Sequence, residues 1–185
     1  MLARRGKGLS FIEELENDRQ SNVFSVVVLD ADRDDYVRAL KKAAAEERFF
    51  GVFCISSPDF EFANFSAEEV RDVWLRFVAR DGDEAPVKLA DVASPRDVRS
   101  SAEFINYLRQ HDLPAFGKSE AWGEALMAHA LTREMLPDSH SREGEIRPIV
   151  RVARNLTMAR YAGYERSLAQ FRVDQDTGEL VKKKL

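Results

Sequence analysis

The order of apolar and polar positions divides the chain into a front part where strands and helices alternate and a rear part of helices. Residues 23–29, VFSVVVL, form a β-branched apolar run with weak alternation, which predicts a strand buried on both faces. Residues 50–56, FGVFCIS, predict a second such strand. Residues 34–47 between them have helical periodicity. Strand, helix and strand with short connections predict parallel strands joined by a right-handed crossover.

Local signals place the remaining elements. Ser66 and Glu69 form a capping box, in which each side chain accepts from the backbone N–H of the other residue. Asp176-Thr177-Gly178 lies between two short extended segments and predicts a β-hairpin. Further helices are predicted at residues 9–20, 100–110, 119–135 and 147–170.

The predicted fold class is α/β. A small parallel sheet with crossover helices is followed by a mainly helical carboxyl-terminal part and a terminal β-hairpin. We expect one domain over residues 1–185, with the α/β part at about 23–80, the helical part at about 100–170 and the hairpin at about 171–183. Because two strands are few for a stable sheet, we expect further partners for it.

Composition narrows the function classes. The 185 residues include 28 Lys and Arg against 32 Asp and Glu, a net charge of -4, which excludes a generally basic nucleic-acid coat but leaves room for a local basic patch. The single cysteine, Cys54, excludes a disulfide framework and a cysteine-rich zinc site. We expect no membrane span, because no apolar run approaches the required length of about 18 residues. The basic amino end has no apolar signal after it, so we expect a cytoplasmic protein.

Acidic residues follow both predicted strands. Asp30 and Asp32 lie at the carboxyl end of the first strand, where ligands collect in open parallel sheets. Two carboxylates at this spacing can bind Mg²⁺, a cation that prefers oxygen ligands and keeps several waters. Asp59 and Glu61 follow the second strand, and adjacent parallel strands would bring them within about 5 Å of the first pair in the sheet direction. They are then predicted to bind a second metal ion or to share one with Asp30 and Asp32. The alternative is that Asp30, Asp32 and Asp34 only end a strand and begin a helix, and that Asp59 and Glu61 are ordinary acidic residues of a turn.

The stretch VVVLDADRDD, followed one helix later by GVFCISSPDFEFANF, resembles the carboxyl-terminal half of a Toprim domain over residues 23–78. That family includes primases, topoisomerases and the overcoming-lysogenization-defect nucleases of bacterial defence against phage. The resemblance implies Mg²⁺ or Mn²⁺ binding by Asp30 and Asp32, with Glu61 or Asp59 as a further acidic residue of the catalytic site. The family's preceding strand, which ends in a general acid or base Glu, has no counterpart in the 22 residues before Val23.

Two other families share an Asp-x-Asp motif after a strand. In glycosyltransferases of the GT-A type it holds a metal against a nucleotide-sugar diphosphate, but those folds need a nucleotide-binding strand and helix upstream. In haloacid-dehalogenase phosphatases the first Asp attacks phosphate and the second donates a proton. The later acidic pair of that family is not found, so both resemblances rank below the Toprim one.

Basic residues in the rear part are candidates for nucleic-acid contact. Arg147, Arg151 and Arg154 are spaced four and three residues apart, a spacing that places guanidinium groups on one helical face, and Lys118 is a further candidate. The alternative is a solvated face that pairs with the acidic residues. The sequence therefore predicts Mg²⁺-dependent phosphodiester chemistry on nucleic acid. The alternative is a non-catalytic subunit or fragment that docks on a larger partner or forms a homo-oligomer.

Overall fold

The computed structural model describes residues 10–80, 98–137, 145–161 and 170–184. The elements in chain order are α1 (Ser10–Gln20), β1 (Ser25–Asp30), α2 (Asp34–Ala45), β2 (Gly51–Ser56), α3 (Phe60–Asn64), α4 (Ala67–Arg80), α5 (Ser101–Gln110), α6 (Glu120–Thr132), α7 (Pro148–Tyr161), β3 (Phe171–Val173) and β4 (Leu180–Lys182).

The predicted fold class is confirmed. Strands β1 and β2 form a two-stranded parallel sheet, helices follow, and β3 pairs antiparallel with β4 in the predicted hairpin. The short helix α3 was not predicted, because the alternation of Asp59-Phe60-Glu61-Phe62 is typical of the end of a strand. The last predicted helix, residues 147–170, is confirmed over Pro148–Tyr161; Arg147 precedes it, residues 162–169 lie outside the described part of the chain, and Gln170 lies in a turn.

The chain divides into two compact units. The first contains residues 1–55 and 152–185, and the second contains residues 56–151. The predicted α/β part at about 23–80 is therefore shared between both units, with β1 and α2 in the first and α3 and α4 in the second.

The core of the first unit lies between α1, α2 and one face of the sheet. Leu40 of α2 is fully buried and Phe53 of β2 nearly so, together with Val173 of the hairpin. The hairpin turn docks on β2, because the backbone N–H of Phe53 donates to the carbonyl of Gly178 at 2.8 Å. Gly178 has φ +74°, and a Cβ there would lie 2.1 Å from the Phe53 carbonyl oxygen, so this position requires glycine.

The core of the second unit is aromatic and lies between α4, α5 and α6. Phe116 stacks on Trp122 with ring centroids 4.3 Å apart, and Trp74 packs edge-on against Phe104. The indole of Trp74 donates to the carbonyl of Pro114 at 2.9 Å, which satisfies its one polar group.

The capping box predicted at the start of α4 is confirmed. The backbone N–H of Ser66 donates to Glu69 Oε2 at 3.0 Å, and the N–H of Glu69 donates to Ser66 Oγ at 3.1 Å. Among the residues that the structure describes, every helix is too short or too polar to cross a lipid bilayer.

Candidate functional site

The Asp30–Asp32 pair lies where the sequence predicts it. Asp30 is the last residue of β1 and is half-buried, whereas Asp32 is exposed in the turn that leads to α2. The turn is closed by the backbone N–H of Arg33, which donates to the carbonyl of Asp30 at 3.4 Å. Two carboxylates are thus held two residues apart at the carboxyl end of a parallel strand.

The alternative that Asp30, Asp32 and Asp34 only end a strand and begin a helix agrees with the structure in part, because Asp30 ends β1 and Asp34 begins α2. Arg33 occupies the N-cap position, and its side chain makes no capping hydrogen bond. Asp34 is the first residue of the helix, where a negative charge favours the positive end of the helix dipole. Neither Asp30 nor Asp32 therefore occupies the N-cap of α2.

Arg33, in the same turn, contacts the two residues that follow Asp34 in α2. The guanidinium of Arg33 lies 3.9 Å from the centre of the Tyr36 ring and 3.4 Å from a carboxylate oxygen of Asp35. The hydrogen bond with Asp35 keeps the pKa of Arg33 above its ordinary value. The pKa of Asp35 is lowered, because hydrogen bonds from Arg33 and the backbone of Tyr36 outweigh the effect of desolvation.

Asp59 has a structural role. Its carboxylate caps α3 by accepting from the N–H of Phe62 at 3.0 Å. It also accepts from the N–H of Ser101 at 2.8 Å and from the Ser101 hydroxyl at 3.1 Å. One carboxylate therefore joins the first residues of α3 and α5, and its oxygens are already occupied by donors.

Glu61 is buried rather than presented to solvent. Only 7 % of its surface is exposed, and its Oε1 accepts from the indole N–H of Trp122 at 3.2 Å. It lies in α3, beside the aromatic core of the second unit, so its carboxylate packs inside that unit.

The expectation that Arg147 contacts nucleic acid at the surface is wrong, because the residue is fully buried. It precedes α7, and its guanidinium forms a fork with both carboxylate oxygens of Glu69. It also donates to the carbonyls of Asn64 and Arg133. Arg147 therefore pairs with an acidic residue, as in the alternative of a solvated basic face, but the pair lies in the core.

The carboxylate of Glu69 is the centre of this buried network. Burial alone would raise its pKa, but the hydrogen bonds from Arg147, from the Ser66 backbone and from His129 outweigh burial and lower the pKa. Glu69 therefore stays charged in the interior.

The three other basic candidates are at the surface. Lys118 precedes α6, and Arg151 and Arg154 lie on α7; all three are exposed. Lys118 and Arg151 belong to the second unit, and Arg154 belongs to the first.

The predicted acidic site residues are divided between the two units. Asp30 and Asp32 share one turn of the first unit, whereas Asp59 and Glu61 are built into the second. Within residues 10–80, 98–137, 145–161 and 170–184, no three or more His, Cys, Asp or Glu side chains are grouped so as to hold a metal ion. Asp59 and Glu61 accept hydrogen bonds from groups of the second unit, whereas Asp30 and Asp32 lie at the end of β1 and in the turn that follows it.

Sequence reasoning missed two polar residues of the second unit. Asn64 is buried, donates to the Phe60 carbonyl at 2.8 Å and accepts from the N–H of Ile149 at 2.7 Å, so it caps α7 from a distant part of the chain. His129 of α6 contacts Glu69 at 3.2 Å. No local signal identifies either residue, because their partners lie 85 and 60 residues away in sequence.

Comparison with protein-family models, curated proteins and solved structures finds no match for this chain.

Proposed function

We propose that the chain binds Mg²⁺ or Mn²⁺ through Asp30 and Asp32 and takes part in phosphodiester chemistry on nucleic acid in the cytoplasm, as Toprim-like defence nucleases do. The observation that carries this proposal is the position of the pair. Asp30 ends a parallel strand, Asp32 is exposed two residues later, and the helix that follows begins without using either side chain as its N-cap.

The donor set suits a hard cation that keeps much of its water. Mg²⁺ is bound in many phosphoryl-transfer sites by one or two carboxylates together with substrate phosphates. A cation held there would neutralise charge on the scissile phosphate and lower the pKa of a bound water. Asp30 and Asp32 would hold it, whereas Asp59 and Glu61 keep the structural roles described above.

The exposed residues Lys118, Arg151 and Arg154 are the remaining candidates for contact with the phosphate backbone. Arginine can grip phosphate with a two-pronged fork, and lysine acts as a point charge. Each such contact releases counterions, so binding through these residues weakens as salt rises. Arg147 is excluded from this set because it is buried.

Nicking of supercoiled plasmid with Mg²⁺ or Mn²⁺ tests the proposal. Asp30→Asn and Asp32→Asn remove one negative charge each with little change in shape, and both should reduce nicking to the level without metal. Asp34→Asn is the matched control, because it makes the same change two residues further on, in the first turn of α2. Glu61→Gln should keep its activity. Nicking that survives both Asp30→Asn and Asp32→Asn would contradict the proposal.

A second candidate function is a non-catalytic subunit that associates with another chain or with a second copy. The observation that favours it is the sheet of the first unit, which has two strands within the described residues and leaves Val28 of β1 41 % exposed. Parallel sheets are normally covered on both faces.

Sedimentation equilibrium tests the homo-oligomer form of this candidate. We expect Val28→Asp to shift the protein toward the monomer, whereas Leu131→Asp, at a 64 % exposed position in the second unit, should not. A wild-type chain that remains monomeric at all concentrations would refute self-association.

A further inference from the structure

One histidine of the second unit lies between two opposite charges. The Nε2 of His129, on α6, lies 3.2 Å from a carboxylate oxygen of Glu69, and its Nδ1 lies 2.9 Å from a guanidinium nitrogen of Arg76. Both charged residues belong to α4, one near its start and one two turns later. The imidazole therefore connects two helices through both of its nitrogens.

The partners determine which nitrogen carries the proton. A guanidinium group can only donate hydrogen bonds, so Nδ1 of His129 must accept from Arg76 through its lone pair. The carboxylate of Glu69 can only accept, so Nε2 must carry the hydrogen. The observed geometry thus requires an uncharged His129 in the Nε2–H tautomer.

Protonation of His129 affects its two contacts in opposite ways. A hydrogen on Nδ1 would face the N–H groups of Arg76, so two donors and two positive charges would oppose each other across 2.9 Å. The contact with Glu69 would gain charge on both sides. Glu69 can form this ion pair with the protonated imidazole, because its lowered pKa keeps the carboxylate ionised well below neutral pH.

The surroundings decide which partner moves. The side chain of His129 is only 9 % exposed, and that of Glu69 is held by Arg147 and the Ser66 backbone. Arg76 is exposed on the surface of α4 and can move its guanidinium into water. Among the described residues, the charged groups in contact with the imidazole are Glu69 and Arg76. Arg147 donates to the same Glu69 oxygen, and the uncharged Phe65 ring lies 6.1 Å from the imidazole.

We propose that His129 is a proton-sensitive latch between α4 and α6. Uncharged, it holds Arg76 and Glu69 at once; protonated, it releases Arg76 and keeps Glu69. Acidification therefore detaches one of the two polar connections that His129 makes between these helices and frees a guanidinium group at the surface. This device lies wholly in the second unit and does not depend on metal binding by Asp30 and Asp32.

Nitrogen-15 spectra of the imidazole rings in the full chain test the tautomer. At about pH 8 we expect the Nδ1 of His129 to resonate as an unprotonated nitrogen and Nε2 as a protonated one. Through-bond assignment in the wild-type protein makes this measurement independent of any variant. A proton on Nδ1 at this pH would overturn the proposal.

Release of the guanidinium is read from the Nε–H signal of Arg76 as the pH is lowered. It should shift in step with the protonation of His129 and should lose that response in His129→Gln, which retains an N–H donor for Glu69 but does not titrate. His111→Gln is the matched control, because the ring of His111 contacts Tyr107 on α5 and not Arg76, so the response should persist. An Arg76 signal that ignores His129 protonation, or that still responds in His129→Gln, would refute the latch.

Discussion

Replacing Arg147 by methionine tests the buried network that organises the second unit. The arginine is fully buried and donates to both oxygens of Glu69 and to the carbonyls of Asn64 and Arg133. Methionine fills much of the volume but leaves a buried carboxylate without its counter-charge. Breaking a buried ion pair in this way costs about 3–5 kcal/mol, a large share of the roughly 5–15 kcal/mol that separates folded from unfolded domains.

Urea unfolding followed by tryptophan fluorescence measures this cost, because Trp74 and Trp122 both report on the second unit. Arg151→Met is the matched control, since it makes the same change at an exposed position four residues later. Its effect should stay within about 0.5 kcal/mol. Adding Glu69→Met to Arg147→Met should recover part of the loss, because it removes the unpaired charge. Equal losses of stability in Arg147→Met and Arg151→Met would refute the reasoning.

Three further predictions concern the same fold. Because the pKa of Glu69 is lowered in the folded state, its charge stabilises the fold above the unfolded-state pKa, and this stabilisation is lost as the pH falls through the folded-state pKa. Urea unfolding at decreasing pH should show the loss. In Arg147→Met the loss should begin at a higher pH. Asn64→Ala removes the acceptor for the Ile149 N–H and should cost about 1–2 kcal/mol in urea unfolding. Gly178→Ala should cost at least about 1–2 kcal/mol from its φ of +74° alone, measured by thermal unfolding, whereas Gly117→Ala, which meets nothing within 4 Å, should be nearly neutral.

Elements with a local signal were predictable from the sequence. The capping box of Ser66 and Glu69 fixes the start of α4 through bonds three residues apart, and the Asp176-Thr177-Gly178 turn fixes the hairpin through its own backbone. In β1 only Ser25 is buried and Val28 is 41 % exposed, so the predicted burial of this strand on both faces is wrong, whereas β2 is the largely buried strand that its apolar run predicts. In each confirmed case the partners lie close in sequence, or burial alone decides the structure.

The roles of the polar residues were less predictable, because their partners are distant. The sequence predicted Asp59 and Glu61 to be available at the end of a strand. They belong instead to the start of the short helix α3, where Asp59 binds Ser101, 42 residues away, and Glu61 binds Trp122, 61 residues away. The sequence predicted Arg147 to be part of a basic helical face, but it is buried in the core, where it pairs with Glu69, 78 residues away. A side chain's charge is visible in the sequence; the depth at which it is placed depends on the tertiary packing.

Binding of Mn²⁺ to the full chain, followed by paramagnetic broadening of backbone amide signals, tests the central claim most directly. The proposal predicts that the amide signals of residues 30–33 are the first to broaden. This broadening should be lost in the double variant Asp30→Asn/Asp32→Asn and should persist in Asp34→Asn and in Glu61→Gln. Broadening that spreads evenly over the exposed acidic residues, or that is unchanged when both aspartates are replaced, would contradict a cation site at the end of β1.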